Sequence, residues 1–362
     1  MEIYLLNDRA ERIAILSEYE SLVWRTSLTT SRAELKAPLD RFLDVSKATY
    51  LERSDSDTIL FINAKRMQGH SEDLSNNGCY LSAYDPVELL RRRVLFRTHY
   101  FNHSRAEIIR RLVAAATATV SLLPERDRAI PLFTPLAITS IGEHLNQTLE
   151  KQASWGDIYS RIESVLESLP VRFYSQRFTG HSAGITPLIY EGRDLTGEVR
   201  LTTEDGDLTD VVYSFESIDR PNMAIVGGQG EGAQRRVTSA SIPLEVPYGE
   251  LWVDANDISN YDENQNPLPA ARVTSYLQER GIDRLHEQPC EHALYASVSQ
   301  DRFQYGTDYS VGDRIGFSAF GASHDDIVSE VEEVFEGGHP KVNITIGTAY
   351  PTIRQIVERI RT

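Results

Sequence analysis

Two hydrophobic periods share this chain of 362 residues, and where each one falls constrains the fold more than any other feature. A repeat near 3.6 marks an amphipathic helix, and a repeat of two marks a half-buried strand. The helical repeat is concentrated between residues 104 and 170. Ser104-Arg105-Ala106-Glu107 reads as a capping box, after which Ile108, Ile109, Leu112, Val113 and Ala116 fall on one face. A second helix is expected from near Ser154, with Ile158, Ile162, Val165, Leu166 and Leu169 in register and Pro170 at its end. Pro124, Pro131 and Pro135 make the connection between these helices largely non-helical.

The flanking regions read mainly as strands. Thr58-Ile59-Leu60-Phe61-Ile62 suits a short buried strand, and Asn76-Asn77-Gly78 is a turn signal. Asp85-Pro86 is a helix start, and the Arg91–Arg93 run beyond it reads as a solvated face. Val211, Tyr213 and Phe215 share one side of an alternating run. Val342, Ile344 and Ile346 alternate after Gly337-Gly338-His339-Pro340, which reads as the turn of a hairpin whose first strand holds Val331, Val334 and Phe335. A helix is expected from about Pro269 to Arg280, stopped by Gly281, and another after Pro351 with Ile353, Ile356, Val357 and Ile360 on one face. The class is α+β with strands dominant, and the length suits roughly two or three domains.

Charge is unevenly placed. Residues 1–180 carry 23 acidic and 23 basic side chains, whereas residues 181–362 carry 30 acidic and 14 basic, so the formal charge of -16 belongs to the second half. A reader of nucleic acid needs a basic face to neutralise phosphates, and this half has the opposite character. Such a surface repels DNA, which is compatible with a conduit; solubility alone also accounts for it. The most apolar stretch, Leu112 to Leu123, is interrupted by Thr117, Thr119 and Ser121, so no bilayer span is expected. The charged N-terminus shows no secretory signal, and Cys79 and Cys290 are too few for a disulfide framework.

Several motifs could carry chemistry. Gly180-His181-Ser182-Ala183-Gly184 matches the nucleophile elbow, but Ile185-Thr186-Pro187-Leu188 after it reads as extended chain, where an elbow needs a helix. A Gly-rich loop between strands is the simpler reading. Gly227-Gly228-Gln229-Gly230-Glu231-Gly232 lies between strand-like segments and lacks the Lys-Ser/Thr of a phosphate loop, so a β-hairpin is expected. His286, Cys290 and His292 fit no standard zinc spacing, and His99 with His103 lacks the Glu of a helical zinc motif. Two acidic loops, Glu204-Asp205-Gly206-Asp207 with Asp210 and Asp254, Asn256, Asp257, Asn260 and Asp262, offer hard oxygens without the EF-hand pattern. No catalytic, cofactor or metal residue is assigned, and no enzyme is expected.

Four segments in order are more informative: Glu191-Gly192-Arg193-Asp194-Leu195-Thr196; Asn222 through Gly232 with Arg235-Arg236; Phe303 through Ile315; and the hairpin from Ile327 to Ile346. Together they resemble a family of minor tail proteins of long-tailed, non-contractile phages, particularly of Gram-positive and actinobacterial hosts. Tyr19 through Trp24 is similar to the family's opening segment. The resemblance implies a homotrimeric tail hub in the virion tail tip, assembled in the host cytoplasm. It implies an N-terminal β-barrel domain at 1–100, a helical insert at 101–170, a C-terminal barrel at 171–346 with a helix near 269–280, and a terminal helix at 347–362. Expected partners are a distal tail protein, the tape measure protein, receptor-binding components and transiently DNA in the lumen. The rival readings are a surface-polymer hydrolase using Ser182 and an adhesin for host glycan, for which Trp24, Trp155 and Trp252 are too scattered in sequence to decide.

Overall fold

The computed structural model describes residues 1–28, 30–56, 58–69, 77–96, 98–117, 130–153, 155–166, 169–179, 183–216, 221–243, 249–262, 264–288, 291–336 and 340–348. The chain opens with β1 (Ile3–Leu6), β2 (Arg12–Leu16), β3 (Ser21–Ser27), β4 (Arg32–Ala37), a short helix α1 (Phe42–Lys47), β5 (Tyr50–Arg53), β6 (Ile59–Gln68) and β7 (Gly78–Tyr84). These strands pair antiparallel in the order β3-β4-β7-β6-β5-β1-β2. Period-two alternation sets the inner face: Leu22 and Trp24 on β3, Ala33 and Leu35 on β4, and Cys79, Leu81 and Ala83 on β7 form one buried cluster.

Asp85 then caps a 3-10 helix, Pro86–Arg92, by accepting from the Val87 N–H at 3.2 Å. The arginines that follow are engaged rather than merely solvated. Arg91 lies 4.2 Å from the centre of the Tyr159 ring and pairs with Glu163 at 2.9 Å, and Arg92 donates to Tyr84 Oη at 3.1 Å. β8 (His99–Ser104) runs into α2 (Arg105–Thr117), whose first turn is capped by Ser104 Oγ accepting from Glu107 N at 3.4 Å. The Glu107 carboxylate bonds Arg110 and Arg111 instead of closing the reciprocal half of the capping box. β9 (Ala137–Ser140), α3 (Glu143–Asn146), β10 (Thr148–Ala153) and α4 (Ile158–Leu166) follow. The cap of α4 is Asp157, which accepts from Ser160 N at 2.8 Å, so the helix starts at Ile158, the first residue of its apolar spacing, and not near Ser154. The stretch read as helical also holds an antiparallel pair, β8 with β10, that its sequence does not announce by apolar alternation.

α2 and α4 pack their apolar faces against Phe173 and Ile189 of the hairpin β11 (Val171–Thr179) and β12 (Ala183–Glu191), and β12 is the central strand of this sheet, taking β9 in parallel on its other edge. Beyond lie β13 (Arg200–Thr202), β14 (Leu208–Glu216), β15 (Met223–Gly227), β16 (Val237–Ser241), β17 (Glu250–Asp254), α5 (Ala270–His286), β18 (Glu291–Val298), β19 (Arg314–Ala319), β20 (Ala322–Phe335) and β21 (Pro340–Thr348). β15, β16 and β17 form a separate three-stranded sheet with α5 on one face. Gly281 does not stop α5, which continues to His286. A Cβ on Gly281 would come within 2.7 Å of Val226 and 3.1 Å of Ala240, so this glycine lets helix and sheet approach. Residues 349–362, including the expected terminal helix, lie outside the described residues.

The expected hairpin is β20–β21, with Val334 opposite Lys341 and Val331, Val342, Ile344 and Ile346 buried; its turn lies outside the described residues. β20 is 14 residues long and has more than one use. Its first part pairs with β19, and its last part, Glu330–Phe335, pairs antiparallel with β3 as well as with β21. The two halves of the chain are thereby sewn into one 13-stranded sheet running β14-β18-β21-β20-β3-β4-β7-β6-β5-β1-β2, with β19 and β13 off the path. The protein is mostly β. The resemblance implies two barrel domains; the described residues instead form this one open path, in which β20 has β21 on one edge and β3 on the other, and close no barrel. No described helix is long and apolar enough to cross a membrane.

The β20–β3 seam carries buried charge. Glu333 faces Trp24 across the ladder and receives both terminal nitrogens of Arg53, at 2.5 and 3.0 Å. The Arg53 guanidinium also binds Asp55 at 2.9 Å and lies 5.3 and 5.1 Å from the rings of Trp24 and Phe335. One register step away, Arg25 pairs with Glu332 in a more exposed setting. Removing one partner of a buried pair leaves an uncompensated charge, whereas exposed pairs contribute little. Arg53→Ala is therefore expected to lower the unfolding free energy by about 3 kcal/mol in a urea titration, and Arg25→Ala by less than about 1 kcal/mol. Equal losses would show that burial of the seam does not set its strength.

Candidate functional site

Two of the segments that set this sequence apart meet in space. Glu191–Thr196 leaves the end of β12 and runs beside Val311–Ile315, which leads into β19. Arg314 N donates to Arg193 O and Leu195 N donates to Arg314 O, both at 2.8 Å. Gly192 N reaches Pro170 O at 2.8 Å, and Gly312 N reaches Val328 O on β20 at 2.9 Å. A Cβ on Gly192 would lie 1.9 Å from Gly312 O, so no side chain fits there without moving backbone.

A fully buried carboxylate closes the joint. Asp313 accepts from Tyr190 Oη at 2.6 Å, Arg193 N at 2.8 Å, Arg193 Nη2 at 2.7 Å and Ser310 N at 2.9 Å. Burial, together with donation to Asp313, pushes the Tyr190 hydroxyl up to about 12, so it remains a donor at neutral pH. Glu191 forms a second node. Its buried carboxylate accepts from Gly142 N at 2.7 Å, His144 N at 2.9 Å and Leu145 N at 3.0 Å, and meets His144 Nδ1 at 2.9 Å. Burial raises its pKa, but the N–H groups of Leu145 and His144 and the His144 ring outweigh that and hold the carboxyl below its ordinary range.

Asp85 is the third node. Beyond its cap it accepts from Ser175 N on β11 at 3.2 Å, linking the first sheet to the middle of the chain. Here burial wins over bonding from Ser175 and Val87, and the carboxyl is pushed up to about 7. These three acids join elements distant in sequence and hold donors that burial would otherwise leave without partners.

The remaining candidates fall apart as sites. Residues 180–182, with Ser182, lie outside the described residues, and strand β12 follows them where an elbow needs a helix. Gly227–Gly232 links β15 to β16 in an antiparallel hairpin, with a 3-10 turn at Gly232–Gln234 and Gly230 at φ +113°. Arg235 folds that loop by donating to Gly228 O at 3.0 Å and to Asp254 at 2.9 Å. His286 ends α5, while Cys290 lies outside the described residues; His99 and His103 are on strand β8. Among the described residues no three His, Cys, Asp or Glu side chains are grouped as metal ligands. The acidic loops are already occupied: Asp207 accepts from Thr202 N and Arg302, Asp257 pairs with Arg280, and Asp262 accepts from Asn264 N and Asn266 N. Trp24 is buried, whereas Trp155 and Trp252 are exposed.

Sequence reasoning missed Glu191, Asp313 and Asp85 as joints. No local signal singles them out: an acid adjoins a glycine in Glu191-Gly192 and Gly312-Asp313, but also in Asp205-Gly206 and Glu231-Gly232, where a Cβ would meet open space. The local sequence marks Asp85 only as a helix cap.

The raised pKa of Asp85 gives a signed expectation. An unfolded Asp titrates near ~3.9. Between that value and about 7 the folded state holds the extra proton, so stability falls as pH rises through this window. In urea titrations across that range, Asp85→Asn should show a shallower decline than the natural chain, with Glu163 and Glu279, also raised to about 7 by burial, leaving a residual slope. Identical slopes would mean that Asp85 does not hold its proton. Gly192→Ala should destabilise more than any exposed Gly→Ala change, read as a drop in melting temperature.

The whole architecture recurs in tail proteins. A tail protein from Neisseria meningitidis MC58 superposes with a TM-score of 0.54 at 10% identity, covering 95% of this chain and 95% of that one. The prophage MuSo2 43 kDa tail protein from Shewanella oneidensis gives 0.54 at 10% identity, covering 96% and 98%. Prophage tail protein gp18 from Listeria monocytogenes EGD-e gives 0.52 at 10% identity, covering 100% and 98%. At such identity the likeness speaks for the fold. No curated protein matches the sequence. The family model described as Siphovirus ReqiPepy6 Gp37-like protein matches residues 2–348, and the chain belongs to that family.

Proposed function

We propose that this chain is a structural subunit of a siphophage tail tip, in which three copies form a hub between the tail tube and the host-recognition components. The observation that carries this reading is the tail-protein fold spanning the full chain, not one module of it. The buried carboxylates support it further, because each bonds donors from segments distant in sequence and acts as a joint.

The sheet offers a means of assembly. Its path ends at β2 and β14, which have no strand neighbour on their outer sides among the described residues. Bare strand edges template pairing with another chain. Ile13 and Ile15 on β2 are 40% and 50% exposed, and Val212 on β14 is 57% exposed. In this reading β2 of one copy lies against β14 of the next, a heterologous contact that closes after three rotations. The strands of 1–100 and 171–346 then form two wall segments per copy, and 101–170 decorates them. The acids of the second half face a lumen, where like charge keeps passing DNA from adhering.

Light scattering behind a sizing column tests the assembly. The chain is 40.8 kDa, so a trimer has a mass of about 122 kDa. Oxidation of an Ile13→Cys, Val212→Cys double variant should yield covalent dimers and trimers on a non-reducing gel. A monomer at all concentrations with no cross-linked ladder would overturn this assembly.

A further inference from the structure

We propose that the outward face of the small sheet β16-β15-β17 is a binding platform for a neutral saccharide, built on Trp252. α5 covers the other face, where Ala224, Val226 and Val253 are buried. Strand alternation and register then define the outward face as three rows: Ser241, Met223 and Glu250; Ser239, Ile225 and Trp252; Val237, Gly227 and Asp254.

Trp252 is held in place. The benzo edge of its indole sits above Gly227, where a Cβ would lie 2.6 Å from the ring, so the ring rests on bare backbone. The Arg235 guanidinium lies 5.2 Å from the ring centre and is itself fixed by Gly228 O, Gly227 O, Asp254 and Asn256 at 3.0, 3.1, 2.9 and 3.3 Å. Trp252 nevertheless remains 53% exposed. A large aromatic surface fixed before binding costs little entropy to use.

The surroundings select the ligand. Two strand spacings of about 4.8 Å and two double steps of about 6.7 Å give a face of about 10 by 13 Å. That is far below the roughly 800 Å² per partner of a stable protein interface, and it suits one or two sugar rings. Exposed Ser239, Ser241 and Asn256 can exchange hydrogen bonds with hydroxyls, and the carboxylates of Glu250 and Asp254 can accept them. The C–H face of a pyranose would lie on the indole. Arg235 and Asp254 pair with each other at 2.9 Å, which leaves Glu231 and Glu250 as the exposed acids beside the face, so an anionic glycan is repelled. This inference does not depend on the trimeric hub, since the isolated chain presents the whole face.

The test is a titration of the full chain against an array of neutral gluco-, galacto-, manno- and N-acetylglucosamine oligosaccharides, with polygalacturonate as the anionic probe. Saturable binding of at least one neutral oligosaccharide and none of polygalacturonate is expected. Trp252→Ala should weaken that binding at least tenfold with an unchanged melting temperature, and Trp252→Phe should restore part of it. Absence of binding to every neutral probe, or equal binding by Trp252→Ala, overturns the proposal. So does self-association that Trp252→Ala abolishes, which would assign the face to a second copy.

Discussion

The antiparallel pairing of β20 with β3 is the constraint on which the rest of the architecture depends. Glu330–Phe335 lies against residues 22–27, more than three hundred positions apart in sequence. Closing such a loop costs entropy that grows slowly with length, but the contact must still offset it. The seam does so with backbone bonds on both edges of β20 and with Arg53, which binds Glu333 and Asp55 between two aromatic rings. Because β20 also pairs with β21 and β19, whatever holds it in register holds both halves of the sheet.

The same economy of residues governs the joints. Asp313, Glu191 and Asp85 are buried acids, which would be costly without partners. Each accepts from N–H or O–H groups of other segments; bonding outweighs desolvation at Glu191, desolvation outweighs bonding at Asp85, and their pKa shifts are opposite. They lie at chain crossings, where each holds together segments distant in sequence.

Much of the local structure was legible. The buried face of α2, the hairpin of β20 and β21, the glycine turn between β15 and β16 and the cap at Asp85 all follow from patterns a few residues long. The β8–β10 pair was not legible, because its strands lack apolar alternation and are stabilised by what they pack on. Gly281 misled for a related reason: a glycine that ends a helix and one that admits a neighbouring sheet are identical in sequence, and only Val226 and Ala240 distinguish them.

The sequence by itself determined that strands dominate, that helix lies near its middle, that the second half is acidic and, through four ordered segments, the family. Those properties are written in composition, period and turn chemistry, which act over short distances. Tertiary structure alone decided that both halves share one open sheet, that Glu191-Gly192-Arg193 meets Gly312-Asp313 across 120 positions, and that Trp252 lies exposed on Gly227. A carboxylate, a glycine or a tryptophan has the same local signature whether solvated or buried, and its role is set by which distant atoms the fold brings within a few ångströms.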